Sequence, residues 1–380
     1  MKFQYTVPSH VIFGEGSSKE VGELVASLGA KKVLLVYDKG VEAVGLLNGV
    51  RQSLQDAKIG IVPFDNVIPN PTIEQVEDGA KIARAENVDA VIAVGGGSPM
   101  DVAKAINILL TNPSPILQYE GLNQVKNPGK PLIAIPTTAG TSSEVTVVSA
   151  LVDAEASRKV IIKGRHVEAN YAVLDPLLTA SLPPSITAAT GMDALTHAIE
   201  SYVSKNASPV TRPSSLEAAK LISEYLPRAV ADGKDMEARS NMLLSCVIVG
   251  FAFSNGDLGL VHGIAHALSG HFDLAHGMAN ATVLPYVMEF NAKAVPEDIA
   301  RLGEAMGLPA ASDPKEGAAA AVEYVKKFSR EINIPPLREL GVPEDALEML
   351  ADETMKEFVL NFNPIMPTKE DVLEMLKKAY

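Results

Sequence analysis

The stretch Asp89-Ala90-Val91-Ile92-Ala93-Val94-Gly95-Gly96-Gly97-Ser98-Pro99-Met100-Asp101 decides how this chain is read. Ala90–Val94 is apolar on alternate and intervening positions alike, which suits a strand covered on both faces. Three glycines end it, and a helical pattern begins near Ser98. A strand, a bare turn and a helix bring backbone amides and a helix N-terminus to one point, where an anion such as a diphosphate is favoured. The pattern is neither G-x-G-x-x-G nor a P-loop, since no Lys follows the last glycine. A plain tight turn is the competing reading; the strand before and the helix after favour the anion site.

Similar apolar runs flank this one at Val33–Tyr37, Gly60–Phe64, Leu132–Ile135 and Ala172–Leu174. Between the early runs lie helical stretches with recognisable starts. Ser17-Ser18-Lys19-Glu20 and Thr72-Ile73-Glu74-Gln75 both read as capping boxes. Buried strands alternating with helices predict an α/β domain over residues 1–180. From Leu182 the texture changes to helical pattern only, over Ser185–Val203, Ser214–Ala231, Met236–Phe253, Asn255–Gly270, Pro296–Met306 and Lys315–Ile332. Residues 181–380 are therefore expected to be all-helical, with a ligand cleft between the two domains.

Composition supports two packed domains. The chain has 380 residues, 47% apolar and 21% charged, and domains run roughly 150 residues each. Disordered, collagen-like and coiled-coil proteins are excluded. The single cysteine, Cys246, excludes an internally disulfide-stapled scaffold. A formal charge of −13 repels polyanions, so no nucleic-acid partner is expected. The longest strongly apolar run, Met242–Phe253, is short of the roughly 20 residues a spanning helix needs and reads as a buried helix, so no membrane partner is expected. The N-terminus lacks an apolar signal region, and the expected setting is cytoplasmic.

Five of the seven histidines fall between His197 and His276. Asp193 and His197 are four apart in a helical pattern, hence one turn apart on one face, and His262 and His266 repeat that spacing. His276 lies in Ala275-His276-Gly277, near an expected helix end. Two helices and one further histidine can converge on a cation in a bundle core. One carboxylate with three imidazoles suits Fe, Zn, Co, Mn or Ni. Core or capping histidines are the bland alternative, but a buried Asp–His–His set is costly without a cation.

A second turn, Pro136-Thr137-Thr138-Ala139-Gly140-Thr141-Ser142-Ser143-Glu144, also follows a buried strand. Its hydroxyls can wrap a ribose or phosphate, or form an ordinary solvated loop. Asp38 ends the first strong strand, where an acid can bind ribose hydroxyls or simply start an Asp-Lys-Gly turn.

Five motifs together carry a family resemblance: GGGSPMD at Gly95–Asp101, PTTAGTSSEVT at Pro136–Thr146, VLDP at Val173–Pro176, GMDALTHAIESY at Gly191–Tyr202 and GLVHGIAHALSGHFDLAHGMANA at Gly259–Ala281. The chain resembles the iron-dependent (group III) alcohol dehydrogenases of the dehydroquinate-synthase-like fold, nearly end to end from Phe13–Gly16 to the last helix. The resemblance implies an α/β dinucleotide-binding domain followed by an all-α metal-binding domain. It implies Fe(II), or Zn(II) or another divalent metal, on Asp193, His197, His262 and His276. It places NAD(H) on Asp38, Asn70, Gly95, Gly96, Gly97, Ser98, Asp101, Thr137, Thr138, Thr141, Ser142 and Lys159, and gives His266 a proton-relay role. The implied reaction is hydride transfer between nicotinamide and a small primary alcohol, a diol or an acid-bearing aldehyde, with the alcohol oxygen on Fe(II). Arg165, His166 and Arg212 suggest the acid-bearing option. The implied assembly is a homo-oligomer, a dimer or higher.

Three stretches depart from the family pattern. Asn255-Gly256-Asp257-Leu258-Gly259 stands for Asn-Ala-Gly-Leu-Gly, Arg212-Pro213 replaces a common acid, and Asn363-Pro364-Ile365 replaces Asn-Pro-Arg. The competing activities are a zinc glycerol-type polyol dehydrogenase, or a metal- and NAD-dependent lyase of the same fold. A non-haem iron oxygenase or a metal-storage scaffold is further off, because neither explains polar turns at strand ends.

Overall fold

The computed structural model describes residues 2–156 and 158–380. The chain divides into two compact units. One comprises Val7–Thr138 and Ser142–Ser181; the other comprises the chain up to Thr6, Ala139–Thr141 and Leu182–Tyr380.

The first unit is built on six parallel strands: β1 (His10–Phe13), β2 (Lys32–Asp38), β3 (Gly60–Val67), β4 (Ala90–Gly95), β6 (Leu132–Pro136) and β9 (Tyr171–Leu174), in the order β1-β9-β6-β4-β2-β3. A small second sheet contains β5 (Gly121–Leu122), β8 (Arg158–Lys163) and β7 (Val148–Asp153), the last two antiparallel. The helices are α1 (Val21–Ser27), α2 (Lys39–Ala43), α3 (Leu47–Asp56), α4 (Ile73–Ala85) and α5 (Gly97–Thr111).

Why the central strands are apolar throughout is visible in how their side chains divide. Val33, Leu35, Ile92, Val94, Ile133 and Ile135 enter one buried cluster, while Leu34, Val36, Val91, Ala93, Leu132 and Ala134 enter another. Alternate residues face opposite sides of a strand, so a sheet with helices on both faces leaves no position for a polar residue.

The second unit contains α6 (Pro184–Val203), α7 (Thr211–Ala231), α8 (Met236–Gly256), α9 (Leu260–Phe272), α10 (His276–Asn291), α11 (Pro296–Ala305), α12 (Pro314–Glu331), α13 (Leu347–Thr354) and α14 (Lys369–Ala379). Its described residues form no strand. By length and composition α8 could cross a membrane, but 61% of its apolar window is buried inside the fold. It packs against α6 and α7.

A buried brace ties α5 to the polar turn after β6. Lys104, 1% exposed, donates from Nζ to Ser143 Oγ (2.8 Å), Thr146 Oγ1 (3.2 Å) and the Val148 carbonyl (2.7 Å). Asp101 Oδ1 accepts from Ser143 Oγ at 2.7 Å and its Oδ2 from the Ala150 amide at 3.1 Å. Burial pushes the Lys104 ammonium down to about 8, with Asp101, Glu144 and Glu168 pulling it back. Glu144 is 2% exposed and its Oε1 accepts no hydrogen bond. Burial pushes its carboxyl up to about 7, against its own backbone amide and Lys104.

Folding thus favours protonated Glu144. Its stabilising contribution is full below about pH 4.5 and is lost as pH rises through 7. Glu144→Gln is therefore expected to stabilise the chain by about 3 kcal/mol at pH 8 and to change little at pH 4.5, measured by urea unfolding at both values.

Candidate active site

Strand register places the predicted cofactor residues at the carboxyl ends of neighbouring strands. Tyr37 pairs with Val94 and Gly95 with Pro136, so Asp38 and Gly95, which end β2 and β4, and Thr137, which follows β6, lie side by side. The Thr137 amide donates to the Gly95 carbonyl at 2.9 Å. Gly95 has φ +152°, and a Cβ there would lie 2.6 Å from Pro99 Cγ. Only glycine fits this turn. Gly96 ends it and α5 starts at Gly97, one residue before the expected start; no side chain caps its first amides. Those donors are what an anion requires. Thr138 lies against Gly96.

Several other predicted cofactor residues already have work within the fold. Asp38 Oδ1 accepts from the Val41 amide at 2.9 Å and caps α2. Both Asp101 oxygens are engaged in the brace. Asn70 takes a left-handed backbone at φ 50°, next to Pro71, whose carbonyl accepts from the Val152 amide. Lys159 pairs with Val152 across the β7–β8 hairpin and lies close enough to Asp101 to attract its carboxylate. Ser142 is buried at φ 55°. Thr141 belongs with Ala139 and Gly140 to the helical unit. Gly140 makes that excursion possible, since a Cβ there would sit 2.7 Å from Thr190 on α6.

In the helical unit, one donor atom from each of Asp193, His262 and His276 lies within 4.8 Å of the other two. Asp193 Oδ1 is 3.9 Å from His197 Nε2 and 3.9 Å from His276 Nε2. The His197 ring stacks on His262 at 4.9 Å and on Phe253 at 4.3 Å. Asp193, His197 and His262 are each at most 4% exposed. Burial pushes the His197 imidazole down to about 4, against the pull of Asp193, so it is neutral at physiological pH. A neutral imidazole is the ligand form.

The Asn280 amide reports where these lone pairs point. Its Nδ2 donates to Asp193 Oδ1 at 2.7 Å and stands 3.3 Å from His262 Nε2 and 3.2 Å from His276 Nε2. One amide carries two hydrogens and cannot satisfy three acceptors. Donors around a cation with bonds near 2.1 Å sit about 3–4 Å apart, close to the separations seen here. The set fits a divalent metal bound by imidazole and carboxylate.

Four supporting residues were not among the sequence candidates. Glu200 Oε2 lies 2.6 Å from His262 Nδ1, and its Oε1 accepts from the Val261 amide at 2.6 Å. Asn363 Oδ1 accepts from the Leu260 amide at 3.1 Å. Glu357 Oε2 lies 2.9 Å from His266 Nδ1, and the His266 ring stacks on His276 at 5.9 Å. Asn280 completes the four. Glu200 and Asn280 had a signal, standing three residues after His197 and four after His276 on the same helices; Glu357 and Asn363 come from distant segments.

The family departures have local explanations. Arg212 forms a double hydrogen bond with Asp298 (3.0 and 3.0 Å) and stacks over Tyr202, so this guanidinium is committed within the helical unit. That removes its support for an acid-bearing substrate. Asp257 adopts φ 59°, which explains a family glycine there, and accepts from Asn206 Nδ2 at 2.8 Å. Ile365 serves Asn363 through its backbone carbonyl (2.8 Å), a role independent of its side chain.

Comparison with known proteins gives a consistent picture. The family described as "Iron-containing alcohol dehydrogenase" matches residues 8–176, and "Fe-containing alcohol dehydrogenase family, C-terminal" matches residues 187–380. NAD-dependent methanol dehydrogenase of Bacillus methanolicus is 38% identical over 377 residues, spanning 99% of each chain. The 1,3-propanediol dehydrogenase of Citrobacter freundii is 39% identical over 382 residues, spanning 100% of this chain and 99% of that protein. A crystal structure of 1,3-propanediol oxidoreductase superposes over 100% of both chains, with TM-score 0.97 and 39% identity.

Close approach of α10 to α6 sets the distance between His276 and Asp193. A Cβ on Gly277 would sit 2.7 Å from the Ala189 carbonyl and 3.3 Å from Asp193 Cβ. Gly277→Ala is expected to cost about 1–3 kcal/mol and to lower the metal content of the purified folded protein, read by elemental analysis alongside thermal unfolding.

Proposed function

Because the chain belongs to the iron-containing alcohol dehydrogenase family, matched through both of its units, we propose that it interconverts a small primary alcohol or terminal diol with its aldehyde, using NAD(H). The carrying observation is the convergence of Asp193, His262 and His276, with His197 beside them. Relatives that act on methanol and on 1,3-propanediol span nearly the whole chain and support the substrate class. In this reading residues 1–180 bind NAD(H) and residues 181–380 bind the metal. It includes a cytoplasmic setting, and a homo-oligomeric assembly carried by the family resemblance.

A divalent metal on Asp193, His197, His262 and His276 supplies, when bound, a Lewis acid for the alcohol or carbonyl oxygen, and NAD(H) supplies the hydride acceptor or donor. The chain does the rest. The uncapped amides of Gly97 and Ser98 hold the dinucleotide diphosphate, and the glycines let it approach. Thr137, Thr138, Thr141 and Ser142 contribute hydroxyls. Asp38 sets its charge where a 2′-phosphate would be repelled, favouring NAD over NADP. Asn70, Asp101 and Lys159 shape the surrounding loops. His266 moves the proton: one taken up at Nε2 leaves from Nδ1 towards Glu357 Oε2, whose side chain is 30% exposed and opens to water.

Metal-stripped protein reconstituted with Fe(II) or Zn(II) should consume NADH with short aldehydes, followed by absorbance, and Asp193→Ala should show no such loss. NAD binding without net NADH turnover would instead favour the lyase. His266→Asn should lower kcat by about 100-fold with metal content unchanged; loss of the metal would make His266 a ligand.

A further inference from the structure

We infer that Glu200 is a positioning residue, fixing His262 in the tautomer that can bind metal while it anchors the start of α9. The inference rests on the metal reading of the site and adds a residue outside the ligand set. Glu200 is 2% exposed and lies on α6, seven residues after Asp193 and three after His197, so it shares their face. Its two oxygens reach two consecutive residues. Oε1 accepts from the Val261 amide and Oε2 contacts His262 Nδ1, each at 2.6 Å.

A carboxylate only accepts hydrogen bonds, so in the metal-binding form of His262, which carries one ring proton, that proton sits on Nδ1. That leaves the lone pair on Nε2, the atom within 3.3 Å of the Asn280 amide that also reaches Asp193 and His276. The same carboxylate satisfies an amide in the first turn of α9, where no intrahelical partner exists. Asn363 takes the neighbouring Leu260 amide. Gly259 admits both side chains: a Cβ there would lie 2.7 Å from Asn363 Oδ1 and 3.2 Å from Glu200 Oε1. One acidic side chain thus sets the helix start, the ring orientation and the tautomer together.

Glu200→Gln separates these roles, because glutamine has one carbonyl oxygen for two N–H donors. If the oxygen stays on Val261, the side-chain NH2 faces His262 Nδ1. Nδ1 can then only accept, and the proton moves to Nε2, where it points at the metal position. Both contacts that Glu200 makes, to the Val261 amide and to His262 Nδ1, remain made in the metal-free protein, so its thermal midpoint should stay near wild type. Zn(II) affinity, measured by chelator competition, should fall about 10- to 100-fold. Equal Zn(II) affinity in the variant would overturn the assignment. An affinity loss matched by unfolding of the metal-free variant would reduce Glu200 to a helix cap and overturn it too. A wild-type chain that binds neither Zn(II) nor Fe(II) would overturn the metal reading along with it.

Should the variant fail to fold, the metal-free wild type still decides. Long-range proton–nitrogen spectra of histidine-labelled protein, with His262 assigned through His262→Gln, should show its proton on Nδ1. A proton on Nε2 would refute the inference.

Discussion

Metal-ligating atoms drawn together around a common point, on two buried residues and one partly buried one, are the constraint on which the helical unit depends. Asp193, His262 and His276 face one another and the single Asn280 amide. Burying a carboxylate costs several kcal/mol unless it is compensated. The packing that brings α6, α9 and α10 together is therefore unfavourable at its centre and must be driven by what surrounds it. Met192, Ala194, Leu195, Val261, Ile264 and Ala279 flank the donors and are all at most 1% exposed. These apolar neighbours surround the donors, so the hydrophobic contacts that build the bundle also shield Asp193, His197 and His262 from water.

Much of this was legible because it is local. The (i, i+4) pairs Asp193–His197 and His262–His266 follow from helical spacing, and the strand–glycine–helix pattern at Ala90–Ser98 follows from composition along ten residues. The apolar runs located five of the six central strands. The missing one, β1, is an edge strand of half-exposed and exposed residues, whose ordering comes from pairing with Tyr171–Leu174. The β7–β8 hairpin alternates buried and half-exposed residues, a period-two signal hidden by Ser149 on one strand and by charged ends on the other. Helix α10 begins at His276 and runs through Pro285. A proline and two early glycine-flanked positions mask its pattern.

What the sequence could not disclose is how distant segments complete the site. Glu200 caps a helix 61 residues ahead of it, and Asn363 caps the same helix from 103 residues beyond. Glu357 reaches His266 across 91 residues. Capping motifs are readable when donor and acceptor lie within four residues; here the acceptor depends on the fold existing first. The polar turn after β6 shows the same limit. Along the sequence its hydroxyls read as one continuous loop, whereas Ala139–Thr141 belongs to the helical unit and Ser143 and Thr146 are braced on Lys104. Gly140, which reads as one more flexible glycine, is there because α6 leaves no room for a Cβ.

Burial that is costly for folding is what readies the ligands. Desolvation holds the His197 imidazole neutral down to about pH 4, whereas an unfolded histidine takes up a proton near 6.5. The folded chain forgoes that proton between the two values, and this histidine's contribution to stability is lost as pH falls through that window. In return, no proton has to be displaced from His197 before a cation binds at neutral pH. A more exposed histidine would make the bundle easier to fold in mild acid, and would also let protons compete for its lone pair in the same range. Sealing the ring between Phe253 and His262 resolves that conflict in favour of the ligand.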